Sequence, residues 1–315
     1  MKEIGGYIEF ENYNGLEYHS DAIHLNCGRN CLAYLIECYG ITKIFLPYFL
    51  CDSVFNVCKK YNLDVDFYYI DENFFPIIPD TFESKNWFYL VNYYGQLTVE
   101  QIESVKATFT NLIIDNAQDF FRKQFGDIPT IYTCRKFFGV CDGAYLYSKK
   151  KITHELERDV SYTRMNYLLG RYEKDASLFY AEASHNNSYF ITEPIKKMSK
   201  LTENLMKSFD YEMIKLKRTE NFLFLDNHLR NINKLKLRKV EGAFAYPLYL
   251  QNGVNIRKKL QRKKIYIPTL WPSVLEQCDE GFLEYDYALN ILPLPVDQRY
   301  TQEDMEYILG VLGNV

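Results

Sequence analysis

The sequence predicts an α/β fold: a large domain with a mostly parallel sheet flanked by helices, followed by a smaller C-terminal α+β domain. Two observations predict it. In the first two hundred residues, short apolar runs alternate with stretches of helical apolar spacing, which is the pattern of a parallel sheet covered by helices. From about residue 193 a long charged helical stretch replaces this alternation and leads into a mixed segment.

The predicted strands are short apolar runs that end at polar residues or at proline. They cover residues 22–25, 43–46, 65–70, 87–92, 112–114, 131–133 and 144–147. Apolar spacing predicts helices between them at residues 30–39, 52–61 and 99–108. Ligands of open α/β sheets bind beyond the carboxyl ends of the strands, so we expect the functional residues there.

The pattern of the second half of the chain predicts a helical connection between two domains, followed by a smaller domain. Residues 194–231 have the pattern of one helix or a helix pair between two domains. Apolar runs follow at 243–250 and 265–267, with helices predicted at 254–263 and 302–312. We therefore expect a large cofactor-binding domain over residues 1–210 and a small domain over residues 211–315.

Composition narrows the function classes. The 315 residues are 47% hydrophobic and 25% charged, which is enough to bury a full core. The net charge of −4 provides no basic field for a polyanion, so nucleic acid is not expected as a partner and small metabolites fit better.

The spacing of the cysteines and the first residues of the chain indicate the cellular compartment of the protein. The eight cysteines form no Cys-x-x-Cys pair and have no histidine at metal-ligand spacing, so they predict reduced thiols and no metal site. The first residues have no apolar signal region, and no stretch approaches the roughly 20 apolar residues of a membrane span. We expect a cytoplasmic protein without a membrane span.

Asp115 and Lys136 are the most informative pair. Asp115 ends an apolar run, and Lys136 lies on the loop after the next predicted strand. Pyridoxal phosphate enzymes need a lysine that forms an imine with the cofactor's aldehyde and an acid beside the pyridine nitrogen. A carboxylate that ends a buried strand is costly unless paired, which favours a cationic partner. The alternative is that Asp115 caps a following helix.

Two further segments fit the same cofactor. Gln118 can bond the cofactor's phenolic oxygen, although a solvated glutamine is an equal alternative. Cys27, Gly28, Arg29 and Asn30 stand between a predicted strand and an apolar helix, where free backbone N–H groups suit a phosphate ester. The alternative there is an ordinary helix capped by Asn30.

These motifs together resemble a family. Leu-Asn-Cys-Gly-Arg-Asn at residues 25–30, Asp-Asn-Ala-Gln at 115–118, Lys136 with Asp142-Gly143 after it, and Leu-Pro-Leu-Pro at 292–295 resemble the DegT-type sugar aminotransferases, from about Gly5 to the C-terminus. The resemblance implies the aspartate aminotransferase fold, pyridoxal phosphate fold type I. It implies amino transfer from glutamate to a keto group of a nucleotide-linked sugar, for surface polysaccharide biosynthesis. It also implies a homodimer whose active sites share both subunits.

The resemblance assigns roles to individual residues. The family's Ser-Gly-Thr phosphate loop corresponds to Cys27, Gly28 and Arg29, and its Asp-x-x-Gln corresponds to Asp115 and Gln118. Its cofactor lysine corresponds to Lys136, and in both cases an acid follows six residues later.

The departures concern the groups around the cofactor. Cys51 stands where the family places an aromatic ring against the pyridine. The serine five residues before the lysine is replaced by Ile131, which leaves Thr133 or Arg135 to bind phosphate. Arg135 would also lower the pKa of Lys136 by like charge.

One more family segment aligns only loosely. The family's Asn-x-Arg segment, which crosses the dimer, aligns with residues 194–199. The asparagine is missing there, although Asn186 and Asn187 lie nearby.

Three functions remain possible for the sequence. In an aminotransferase, Lys136 holds the cofactor and then moves a proton between the substrate's α-carbon and the cofactor. Another pyridoxal phosphate reaction or an amino-acid-like substrate is the second alternative; family members that dehydrate replace the lysine with histidine, which Lys136 argues against. The third is a non-catalytic sugar-binding or regulatory member, against which an intact Lys136, Asp115 and Gln118 argue.

Overall fold

The computed structural model describes residues 4–313, and within them eight strands form one large sheet. These strands are β1 (Ile23–Leu25), β2 (Lys43–Pro47), β3 (Asp64–Ile70), β4 (Pro76–Ile77), β5 (Trp87–Val91), β6 (Leu112–Asp115), β7 (Thr130–Thr133) and β8 (Ala144–Tyr147). All seven predicted strands are present, each within one residue of its predicted ends. Only β4 was not predicted.

The sheet is mixed but mostly parallel, in the order β1-β8-β7-β6-β5-β2-β3-β4. Strands β3, β2, β5, β6 and β7 run parallel to their neighbours, while β8 and β4 are antiparallel. Because β1 is also antiparallel to β8, it runs in the same direction as β7. The predicted fold class is confirmed.

The predicted helices of the first half are present with shifted ends. They are α1 (Gly28–Tyr39), α2 (Asp52–Lys60) and α3 (Val99–Thr108). Helix α1 begins two residues earlier than predicted, and its N-cap is Cys27, so Asn30 is not the capping residue. Gly40 ends α1 with φ of 64°, a conformation that favours glycine.

Two helices after β8 were not predicted. They are α4 (Asn166–Glu173) and α5 (Tyr180–Tyr189). Their large side chains point outward, with Tyr172 94% and Tyr180 76% exposed, and Asn186 is the buried residue of α5. Apolar spacing predicts a helix only where one face is buried, which explains why neither was found.

The predicted helical bridge is a helix pair. It consists of α6 (Lys200–Met206) and α7 (Tyr211–Leu229), and Asp210 caps α7 by accepting from Met213 N. Arg218, only 1% exposed, donates from α7 to the carbonyl oxygens of Phe137 and Ala243, each at 3.0 Å. Helix α7 is thereby fixed both to the loop after β7 and to the segment that follows α7.

The C-terminal part forms the predicted α+β unit around a two-stranded antiparallel sheet. Its elements are β9 (Ala245–Tyr249), α8 (Gly253–Arg262), α9 (Val274–Gln277), α10 (Leu283–Asn290), β10 (Ile291–Pro295) and α11 (Gln302–Leu312). The apolar run at residues 265–267 lies outside any strand, packed into the local core. The division of the chain at residue 210 stays a prediction.

Asp142 ties the loop after β7 to the start of α6. Its side chain is fully buried and accepts hydrogen bonds from Ser199 N at 2.7 Å, from Ser199 Oγ at 2.9 Å and from Thr202 Oγ1. Gly143 follows at φ of 112°, and a Cβ there would lie 3.0 Å from Cys134 Sγ. The close packing and the backbone conformation both require glycine.

Residues 4–313 were compared with the requirements of a membrane span and of a metal site. No helix in this range is both long enough and apolar enough to cross a membrane. No group of three or more histidine, cysteine or acidic side chains is arranged there to hold a metal ion.

We predict that Asp142→Ala lowers the free energy of unfolding by about 3 kcal/mol, because it leaves buried donors of Ser199 and Thr202 without an acceptor. Urea denaturation measures the change. The exposed Asp80→Ala is the matched control, with an expected change within about 0.5 kcal/mol. Equal stabilities of the two variants would show that the Asp142 network does not anchor α6.

Candidate cofactor site

The predicted site residues meet at one edge of the large sheet. Asp115 is the last residue of β6, and Lys136 lies three residues beyond the end of β7. Cys51 and Gly28 follow the ends of β2 and β1. Since these four strands run in the same direction, their carboxyl ends share an edge, where ligands of such sheets bind.

Lys136 combines solvent access with a crowded environment. Its side chain is accessible to solvent, yet burial of the amine among surrounding protein atoms lowers its pKa. Asp115 and Cys51 act in the opposite direction, while Arg135 lowers the pKa further. The groups that act on this amine include Asp115, the acid predicted to pair with it.

Asp115 is held by its neighbours on both oxygens. Oδ2 accepts from Tyr89 OH at 2.9 Å, and Oδ1 accepts from Ala117 N at 2.8 Å. The chain after Asp115 forms a turn, so the alternative that this acid caps a helix is wrong. Its carboxylate is oriented by a buried tyrosine and a backbone N–H, and it acts on the nearby Lys136 amine.

Gln118 has one satisfied end and one unsatisfied end. Its side chain is 3% exposed, and Oε1 accepts from Tyr94 N at 2.8 Å. Its buried Nε2 has no hydrogen-bond partner in the described part of the chain. An unpaired buried donor costs about 1–3 kcal/mol, so this amide is placed for an acceptor that the chain itself does not supply. The alternative of a merely solvated glutamine is wrong.

A buried acid next to Gln118 fixes the loop that Gln118 contacts. Asp119 Oδ2 accepts from Asn92 Nδ2 at 2.9 Å and lies 3.7 Å from Arg122 Nη1. Burial raises the pKa of Asp119 to about 6, and Arg122 opposes the rise. Gly95, with φ of 72°, is so close to Asp119 that a Cβ would lie 3.2 Å from Oδ2. These contacts hold the loop from which Tyr94 N reaches Gln118.

The start of α1 has the character of an anion site. Cys27 makes no side-chain cap, and the first turn of α1 contains no acidic residue. Arg29 and Arg135 both lie close enough to lower the pKa of the Cys27 thiol, although burial raises it by more. The buried Nε of Arg135 has no partner among the described residues. Free helix N–H groups, the helix dipole and two guanidiniums together suit a phosphate group.

Three other predicted residues have more limited roles. Asn30 Nδ2 donates to Asn26 Oδ1 and to Pro194 O, both at 2.7 Å, and its backbone N–H donates to Cys27 O. Thr133 is buried at the end of β7. Cys51 is the N-cap of α2, with Sγ 3.0 Å from Ser53 Oγ.

Two neighbours of the site were not among the predicted cofactor-binding residues. The Phe244 ring centroid lies 5.5 Å from Lys136 Nζ, and Asn187 contacts both Arg29 and Arg135. Each comes from a distant part of the chain, and only tertiary packing brings it to the strand ends. Two surface cavities, of about 320 Å³ beside Lys43 and about 160 Å³ beside Arg238, hold none of the predicted residues.

We predict that wild-type stability relative to Asp119→Asn falls as the pH rises from 4 to 7. The folded-state pKa of about 6 lies above the unfolded value, so the stabilising effect of the protonated carboxyl is lost as pH rises through 6. The expected loss is about 3 kcal/mol. Urea denaturation of both proteins across this range measures it, and a constant difference would contradict a buried, raised-pKa Asp119.

No protein-family model matches the chain. No curated protein matches it either.

Solved structures, in contrast, match over nearly the whole chain. A DegT DnrJ EryC1 StrS aminotransferase from Brucella abortus is 14% identical, with a TM-score of 0.64, over 93% of this chain and 85% of its own. A putative sugar aminotransferase from Streptococcus pneumoniae, in its PLP form, is 13% identical, with a TM-score of 0.61, over 95% of this chain and 91% of its own.

A solved structure that is named as a dehydratase matches the chain to a similar extent. It is a mutant of GDP-4-keto-6-deoxymannose-3-dehydratase with bound GDP-perosamine, 13% identical with a TM-score of 0.63, over 92% of this chain and 88% of its own. Identities this low establish the fold and leave the reaction open. The chain therefore has the fold of the DegT-type sugar aminotransferases, fold type I of the pyridoxal phosphate enzymes.

Proposed function

We propose that the protein is a pyridoxal phosphate-dependent aminotransferase. The observation that carries the proposal is the placement of the Lys136 amine, its pKa lowered by burial, beside Asp115 at the carboxyl ends of neighbouring strands. Amines with strongly perturbed pKa values are typical of catalytic sites. The fold supports the proposal because its solved examples include sugar aminotransferases.

The unpaired polar groups of the site fit this cofactor. Asp115 would pair with the pyridine nitrogen, and the buried Nε2 of Gln118 would donate to the phenolic oxygen. The start of α1, with Arg29 and the unpaired Nε of Arg135, would hold the phosphate. When bound, pyridoxal phosphate supplies an electron sink for the substrate's α-carbon.

Lys136 has two tasks in this proposal. Its lowered pKa favours the neutral amine, which is the form that would bind the cofactor's aldehyde. During turnover the same amine would act as the general base that takes the proton from the donor's α-carbon. Asp115, whose Oδ2 is held by Tyr89 OH, would pair with the ring nitrogen.

The substrate class follows from the resemblance and from the solved neighbours. We propose glutamate as amino donor and a keto group of a nucleotide-linked sugar as acceptor, in surface polysaccharide biosynthesis in the cytoplasm. The GDP-perosamine bound to the dehydratase neighbour supports this substrate class. We further propose a homodimer with shared active sites. Another reaction, an amino-acid-like substrate and a non-catalytic role are the alternatives.

We predict that the purified protein with pyridoxal phosphate develops a visible absorption band that L-glutamate converts to the pyridoxamine spectrum. Lys136→Ala abolishes the band, since no amine then holds the aldehyde, while the exposed Lys149→Ala keeps it. If no band that depends on Lys136 appears, the enzyme proposal is contradicted. A band that glutamate leaves unchanged would favour another donor, another reaction or a binding role.

We also predict that Asp115→Asn separates cofactor binding from turnover. The neutral amide cannot stabilise a protonated pyridine nitrogen, so the visible band persists while conversion by L-glutamate slows by roughly a hundredfold. Stopped-flow absorbance measures this rate, with Asp80→Asn as the exposed control. An unchanged conversion rate would remove Asp115 from the proposed role.

A further inference from the structure

The C-terminal end of α5 approaches the two guanidiniums at the candidate anion site. Asn187 lies in the last turn of α5, and its side-chain Oδ1 accepts from Arg135 Nη1 at 2.6 Å. Its main-chain oxygen accepts from Arg29 Nη1 at 3.0 Å. One residue therefore contacts both arginines, through two different oxygens.

The carbonyl of Asn187 is available because α5 ends here. In a continuing helix, Ile191 N would donate to Asn187 O, but it donates to Ser188 O instead, at 3.0 Å. The last carbonyls of a helix carry partial negative charge, and the last turn of α5 contains no basic residue of its own. Arg29 thus binds a free, electronegative helix end.

Arg135 is oriented by a second contact from the same helix end. Its guanidinium carbon lies 4.8 Å from the ring centroid of Phe190, the residue that caps α5 and is only 2% exposed. With Nη1 bonded to Asn187, the Nε and Nη2 edge remains, and the Nε donor is buried and unpaired. This edge of arginine binds oxyanions with two parallel hydrogen bonds.

We propose that the C-terminal end of α5, through Asn187, positions Arg135 and Arg29 as a clamp for the cofactor's phosphate, from within the same chain. Asn187 acts as a positioning residue: it touches the arginines and leaves the phosphate to them. The inference rests on the proposed function and adds to it a cofactor-binding element from the segment between β8 and α6. Both acceptors on Asn187 are neutral, so the clamp keeps the positive charge that a phosphate dianion needs.

The test compares two aldehydes that differ only in the phosphate. Affinities of pyridoxal phosphate and of pyridoxal are measured from the visible band in the wild type and in Asn187→Ala. We expect Asn187→Ala to weaken pyridoxal phosphate binding about tenfold and to leave pyridoxal binding unchanged, because only the phosphate uses the clamp. Alanine favours helix and the side chain of Asn187 is exposed, so we expect the variant to fold.

Two further variants separate positioning from loosening of the helix. The exposed His185→Ala, on the same helix, should change neither affinity. Arg135→Lys should reproduce the loss, and the double variant Asn187→Ala with Arg135→Lys should lose little more than either single variant, since both act on one clamp. Additive losses would overturn the positioning role.

The outcomes distinguish this inference from the proposed function. Equal weakening of both aldehydes by Asn187→Ala, or no weakening of either, overturns the clamp while the Lys136-dependent band still supports the enzyme. A wild-type protein that forms no Lys136-dependent band with either aldehyde overturns the proposed function, and the clamp with it.

Discussion

The placement of a lysine amine beside a buried carboxylate, at the ends of two adjacent parallel strands, is the constraint on which the candidate site depends. Asp115 is available because Tyr89 and a backbone N–H orient it. Lys136 is available because its loop turns immediately after β7. Burial lowers the pKa of the amine by more than Asp115 raises it, which favours the neutral, nucleophilic form.

The rest of the structure keeps that loop in place. Asp142 binds the start of α6, and Arg218 of α7 donates to the carbonyl of Phe137, directly after Lys136. Both anchors are buried, so each is costly to break. The same loop is therefore fixed from two sides, by helices that come after it in the chain, and the segment carrying α5 lies between β8 and those helices.

The sequence predicts the strands, and with them Asp115 and Lys136, because apolar runs that end at a polar residue have one physical explanation in an α/β chain. It does not predict α4 and α5, whose large side chains face outward. Nor does it predict the contact of Asn187 with Arg135, because that contact joins residues far apart in the chain whose proximity only tertiary packing creates. The alternative of a helix capped by Asn30 is wrong because α1 begins earlier, at Gly28.

The central claim is that Lys136 is the residue that holds the cofactor, and covalent trapping tests it most directly. The protein is incubated with pyridoxal phosphate, reduced with borohydride, digested and mapped by mass spectrometry. The account predicts a phosphopyridoxyl group on the peptide that contains Lys136, at one equivalent per chain. A label spread over surface lysines, or confined to another lysine, would contradict it.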